Sequence, residues 1–122
     1  MDAEEVVPRL VETIDGHRWE DLPDLLAPGF TSRLVHTDET FDRDAWVRLN
    51  ADYPGFERME LEDLVADGGR AACRAHVTGV VEGRTAHFEV AMFVTVAEGV
   101  IQEMTEVWAD LDGVAPEGTR PS

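Results

Sequence analysis

The last half of this chain constrains its fold more than any other feature. From residue 57 to residue 111 apolar side chains recur with period two in four long runs, about 57–66, 70–82, 85–97 and 100–111. The runs are separated by Asp67-Gly68-Gly69, Glu82-Gly83-Arg84 and Glu98-Gly99, which are turn sequences. Connections this short can join only antiparallel neighbours, because a parallel crossover needs a dozen residues or more. Four consecutive hairpin-linked strands therefore form an antiparallel meander.

The residues before it follow a helical period. Asp2 is an N-cap, Glu4 and Glu5 lie in a first turn, and Val6, Val7, Leu10, Val11 and Ile14 mark the apolar stripe of a helix ending at Gly16. Trp19, Leu22, Leu25 and Leu26 predict a second, shorter helix closed by Ala27-Pro28-Gly29. Phe30 to His36 reads as a short strand. Thr40 to Asp44 opens a third helix carrying Trp46 and Leu49, stopped by Tyr53-Pro54-Gly55. Helices first and strands afterwards is the α+β pattern. Three N-terminal helices on one face of a strongly curved sheet would enclose an apolar pocket, the natural place for a ligand. Residues 1–112 form one domain on this reading, and 113–122, rich in Gly and Pro, a loose tail.

Composition narrows the partners. The chain has 26 acidic residues against 10 basic ones, all arginine, for a net charge of −16. Such a surface repels phosphate backbones and anionic lipid, so neither nucleic acid nor membrane is expected as a partner. Cys73 is the single cysteine, which excludes an internal disulfide and a cysteine-based metal cluster. The first residues lack the basic-then-apolar pattern of an export signal, and a cytoplasmic protein is expected. His76, His87 and Glu89 sit on adjacent predicted strands without a ligand motif such as H-E-x-x-H. They read as cross-strand surface pairs, and neither metal nor cofactor is expected.

On the last strand Met104, Glu106, Trp108 and Asp110 share one face, since strand side chains repeat every two residues. A carboxylate between Met104 and Trp108 would be partly desolvated, a setting suited to acid–base work. His36, two residues after Leu34, is a second candidate base if Leu34 faces the pocket. Trp19 and Trp46 supply aromatic bulk for the pocket wall or the core.

The element order, together with Gly99-Val100-Ile101-Gln102-Glu103-Met104-Thr105-Glu106-Val107-Trp108 and the stretches Glu12–Gly16 and Leu25–Phe30, resembles the nuclear-transport-factor-two-like superfamily with its cystatin-like fold. The likeness is to its SnoaL-like branch in particular and covers roughly residues 4–112. That scaffold hosts isomerases, cyclases, hydrolases, dehydratases and non-catalytic binders, so the resemblance speaks for fold more than for function. The resemblance places the ketosteroid isomerase donor tyrosine at Leu10, the base near Leu34 and the protonated aspartate near Ala91, none able to transfer a proton. It places the carboxylate of SnoaL-type cyclases at Glu106, with Met104 where a histidine is common, and makes Trp108 a pocket aromatic. It also implies homodimerisation through the sheet. The expected site is thus Glu106 and His36 as acid–base groups, with Trp19, Leu34, Trp46, Glu89, Ala91, Met104, Trp108 and Asp110 lining a pocket for a small apolar or aromatic molecule. Whether the chain is an enzyme, a binding module or a partner-binding subunit stays open at this point.

Overall fold

The computed structural model describes residues 1–121. Helix α1 (Ala3–Asp15) buries Val6, Val7, Leu10, Val11 and Ile14, the stripe that the sequence marks. Pro8 lies within it and forfeits one backbone bond near the N-terminal end, where fewer are at stake. Gly16 adopts an ordinary right-handed conformation, and it is His17, at φ 54°, that takes the left-handed position after the helix.

The second predicted helix is a 3₁₀ segment, Trp19–Leu25. Seven residues are too few to repay α-helix nucleation, and Pro23 removes a donor and disfavours α geometry at Leu22. Leu22 and Leu25 still reach the core.

Six strands form one sheet: β1 (Leu26–Leu34), β2 (Glu39–Asp42), β3 (Phe56–Asp67), β4 (Arg70–Val81), β5 (Arg84–Ala97) and β6 (Val100–Asp110). Helix α2 (Arg43–Asp52) lies between β2 and β3, and Asp42 caps it by accepting the Ala45 N–H at 2.9 Å. The strand order is β2-β1-β6-β5-β4-β3. The four long strands pair antiparallel as predicted, through two-residue turns. In two of these turns, Glu82-Gly83 and Glu98-Gly99, both residues have positive φ, the geometry that matches the twist of a tight hairpin.

Two local expectations are corrected. First, β1 begins four residues earlier than Phe30 and ends at Leu34. Pro28 and Gly29 do not close a helix but lie in a strand, at the register break between Leu26 and Thr31. Second, the first half of the helix entry read over Thr40–Asp44 belongs to β2, which pairs with β1 as an antiparallel edge strand, while Asp42 caps α2. The sequence left the partner of β1 open, and it runs parallel to β6, with Leu26 opposite Ile101 and Leu34 opposite Glu106. The long excursion through β2, α2 and three further strands makes this parallel return possible.

One face of the sheet is covered and the other is open. Ala71, Cys73, Ala75 and Val77 of β4, Val90, Met92, Val94 and Val96 of β5, and Ile101 and Met104 of β6 point to the helices and form the core with α1. Further register breaks, between Phe56 and Arg58, Leu61 and Asp63, and Thr95 and Val96, bend β3 and the β5–β6 pair. Residues 113–121 contain no helix or strand and are exposed, and Ser122 lies outside the described residues.

Candidate functional site around Glu106

β6 carries Glu106 to the middle of the covered face, directly opposite Met92 of β5 and Leu34 of β1. Its side chain is 5% exposed, and it is the one charged residue in the buried core among the described residues. A buried carboxylate must be hydrogen-bonded to be tolerated. Three elements supply the donors. The Ser32 hydroxyl of β1 donates to Oε2 at 2.5 Å and the Trp46 indole N–H of α2 to the same oxygen at 2.8 Å. The Trp108 indole N–H, two residues along β6, donates to Oε1 at 3.1 Å. The backbone is anchored as well, since the Val35 N–H donates to the Glu106 carbonyl at 3.0 Å.

The surroundings hold these donors in place. Ser32 and Trp46 are fully enclosed, and the Phe30 ring packs against Trp46 with centroids 5.3 Å apart. Trp108 is only half-buried and forms the solvent-side wall of the carboxylate. A carboxylate offers about four lone-pair directions. Oε2 uses two of them, on Ser32 and Trp46, whereas Oε1 uses one, on Trp108. The remaining acceptor position is therefore on Oε1, the oxygen toward the half-buried indole.

Glu106, Leu34, Trp46, Met104 and Trp108, all anticipated from the sequence, are brought to this face. Ser32 is an addition. It occupies the same strand parity as the buried Phe30 and Leu34, and a hydroxyl in the middle of an apolar alternation was the available signal.

Five expectations are corrected. His36 lies in the turn after β1 and is exposed, so it does not share the face of Leu34. Asp110 keeps the parity of Glu106 but is exposed at the end of β6, opposite Phe88. Trp19 is half-buried in a separate cluster with His17 and Phe56, at centroid distances of 5.5 and 6.0 Å. Ala91 pairs with Val107 and Glu89 with Ala109, on the open face of the sheet rather than in the core. Their core-facing neighbours Val90 and Met92 are apolar, so the isomerase aspartate has no counterpart there either.

Neither of two surface depressions of the fold lies beside Glu106. A groove of about 440 Å³ runs along α2, lined by Phe41, Ala45, Arg48, Leu49, Asp52 and Tyr53. A smaller one of about 190 Å³ on the open face is lined by residues including Val65, Ala72, Ala91 and Phe93. The Trp46 and Trp108 indoles lie against the carboxylate.

A polar anchor away from Glu106 serves the fold. Asp15, at the end of α1, accepts from Arg58 Nε at 2.8 Å and from the Met59 N–H at 2.9 Å, tying the helix to β3. The Arg58 bond is the main cause of its carboxyl lying below the usual range. Burial pushes the Cys73 thiol up to about 11, which leaves it without thiolate character at neutral pH.

Comparison with known proteins agrees with this architecture. The family model described as SnoaL-like domain matches residues 7–104. A candidate ketosteroid isomerase from Kribbella flavida DSM 17836 superposes with a TM-score of 0.81 at 25% identity, over 96% of this chain and 86% of that one. A candidate SnoaL-like polyketide cyclase from Jannaschia sp. CCS1 gives 0.72 at 24% identity, over 85% and 83%. IdmH, described as a candidate polyketide cyclase from Streptomyces antibioticus, gives 0.74 at 20% identity, over 86% and 90%. No curated protein sequence matches the chain. At these identities the cyclases establish the fold and leave the chemistry to be argued from the site.

Proposed function

Because this chain belongs to the SnoaL-like domain family, we propose that it binds a small apolar or aromatic organic molecule on the covered face of the sheet, with Oε1 of Glu106 as the polar anchor. One observation carries the reading: the single buried charged side chain among the described residues keeps an acceptor position unused, between two indoles. A buried charge is a poor way to gain stability, since apolar residues of the same volume serve as well or better. Groups retained at such a cost tend to serve a site. Entry of a ligand requires the Trp108 side chain to swing outward, and it is the least enclosed of the three donors with the longest bond.

The catalytic form of this proposal has Glu106 acting as general acid or base in a cyclisation, isomerisation or hydrolysis. The descriptions of the similar structures, a candidate isomerase and candidate cyclases, fit a small organic substrate. The isomerase route would have to dispense with its tyrosine donor and its aspartate base, since Leu10 and Leu34 are apolar and buried.

Binding is tested by thermal shift with a panel of aromatic and polycyclic carbonyl compounds. A hit should stabilise the wild type and lose most of its effect with Glu106→Gln. Product formation that disappears in the same variant would establish the catalytic form. A hit that stabilises both proteins equally removes Glu106 from the site.

The open face supports a further part of the reading, a homodimer. Val65, Phe93 and Val107 are exposed there and adjoin Ala72 and Ala91. Phe93→Glu should convert a dimer to a monomer in light-scattering chromatography, and a monomeric wild type would refute this part.

A further inference from the structure

The open face also carries a polar cluster that the reading above does not use. His76 of β4 stands directly opposite Glu89 of β5, and His87 lies diagonally across, two residues along. His76 Nδ1 is 3.3 Å from Glu89 Oε2, and His76 Nε2 is 2.9 Å from His87 Nδ1. Arg74 Nη1 lies on the other side, 2.8 Å from Glu62 Oε1 and 2.6 Å from Glu89 Oε1.

We propose that His76 Nε2 and His87 Nδ1 form a binding site for a divalent cation of the zinc class, with Glu89 orienting His76 from behind. Glu62, His76 and Glu89 also bring ligand atoms within 4.8 Å of one another, which suggests a carboxylate-rich alternative. That side is already occupied by a cation, because the Arg74 guanidinium bridges both carboxylates. Among the described residues, no arginine bonds to either imidazole. There the two ring nitrogens face each other across a single shared hydrogen bond.

The distances suit a metal. Zinc with bonds of about 2.0–2.1 Å to nitrogen holds two tetrahedral ligands roughly 3.3 Å apart. Opening the 2.9 Å contact to that value needs only a small rotation of the exposed His87 ring. With Nδ1–H of His76 donating to Glu89, its Nε2 presents a lone pair outward, the arrangement of a carboxylate–histidine–metal triad. His87 contributes Nδ1 once its proton resides on Nε2, and water completes the coordination. Two imidazoles favour a borderline ion such as Zn²⁺ over Mg²⁺ or Ca²⁺, which prefer oxygen.

The test is calorimetric titration of the chelator-stripped full chain with Zn²⁺ alone, near neutral pH and about 0.15 M salt to suppress diffuse binding by the acidic surface. The wild type should show one saturable site per chain. His76→Ala and His87→Ala should each weaken it at least tenfold, and Glu89→Gln by about 10–100-fold as a positioning residue. Glu62→Gln and His36→Ala should leave affinity within about twofold, with circular dichroism confirming that every variant folds. His87→Gln provides a second removal of the ligand that keeps the side chain polar. Absence of saturable binding, binding indifferent to both His87 variants, or loss in Glu62→Gln equal to that in His87→Ala overturns the proposal.

Discussion

Replacing Glu106 by Gln and by Ala should destabilise the fold in a defined order. In Glu106→Gln the amide oxygen can take the place of Oε2 and accept from Ser32 and Trp46 as before. The amide nitrogen then stands at Oε1 and meets the Trp108 N–H donor to donor. A hydrogen bond to a charged group is worth about 1.5–3 kcal/mol, so the loss should be about 2 kcal/mol, moderated by water at the half-buried indole. Glu106→Ala removes the acceptor altogether and leaves the enclosed Ser32 hydroxyl and Trp46 N–H without a partner, at about 1–3 kcal/mol each. The total, with the void left by the side chain, is about 4 kcal/mol. For a domain of this size 1 kcal/mol corresponds to about 4 °C in Tm, so shifts of about 8 and 16 °C are expected. Thermal and urea unfolding followed by tryptophan fluorescence read the Tm shifts and the free energies, since two of the three tryptophans bond to Glu106. If Glu106→Gln matches the wild type, or if Ala costs no more than Gln, the three-donor account of this carboxylate is wrong.

Three further outcomes follow from other parts of the fold. Asp15→Asn should cost about 1 kcal/mol at neutral pH by weakening the tie to Arg58 and Met59. Because the folded carboxyl is lowered below 3.8, this advantage of the wild type is complete above that value and shrinks as pH falls through the folded pKa. Urea midpoints at neutral and strongly acidic pH should converge, and a constant gap would refute the linkage. Cys73, buried and raised to about 11, should resist thiol reagents in the native protein and react once it is unfolded in urea. Rapid native labelling would contradict the packing of β4. Gly55 has φ 79°, and an added Cβ would stand 2.1 Å from the Val80 carbonyl oxygen, so Gly55→Ala should cost about 3 kcal/mol or more. Gly68 has φ 58° but open space around it, and Gly68→Ala should cost only about 1 kcal/mol in the same urea assay. Equal penalties would mean that backbone conformation, not the contact with Val80, decides both.

What the sequence by itself determined is what short-range chemistry controls. The stripe of Val6, Val7, Leu10, Val11 and Ile14 has no helical alternative that buries it so well, and α1 forms there. The period-two runs with turns at Gly68-Gly69, Glu82-Gly83 and Glu98-Gly99 admit only antiparallel neighbours, so β3 to β6 and their order were legible. Parity also placed Met104, Glu106 and Trp108 together, because alternation is a property of one strand. Only the tertiary structure decided which parity of each other strand meets them. Glu89 and Ala91 share a parity, but the register of β5 on β6 sets Met92, not Ala91, beside Glu106 and turns that pair to the open face. A shift of one residue would have reversed this, and nothing local distinguishes the two registers. The parallel return of β6 onto β1 likewise joins residues 74 apart, bringing the Ser32 hydroxyl to the Glu106 carboxylate. A donor for a buried charge is chosen by chain topology. The sequence shows that Glu106 needs partners, and the fold selects Ser32, Trp46 and Trp108 to serve.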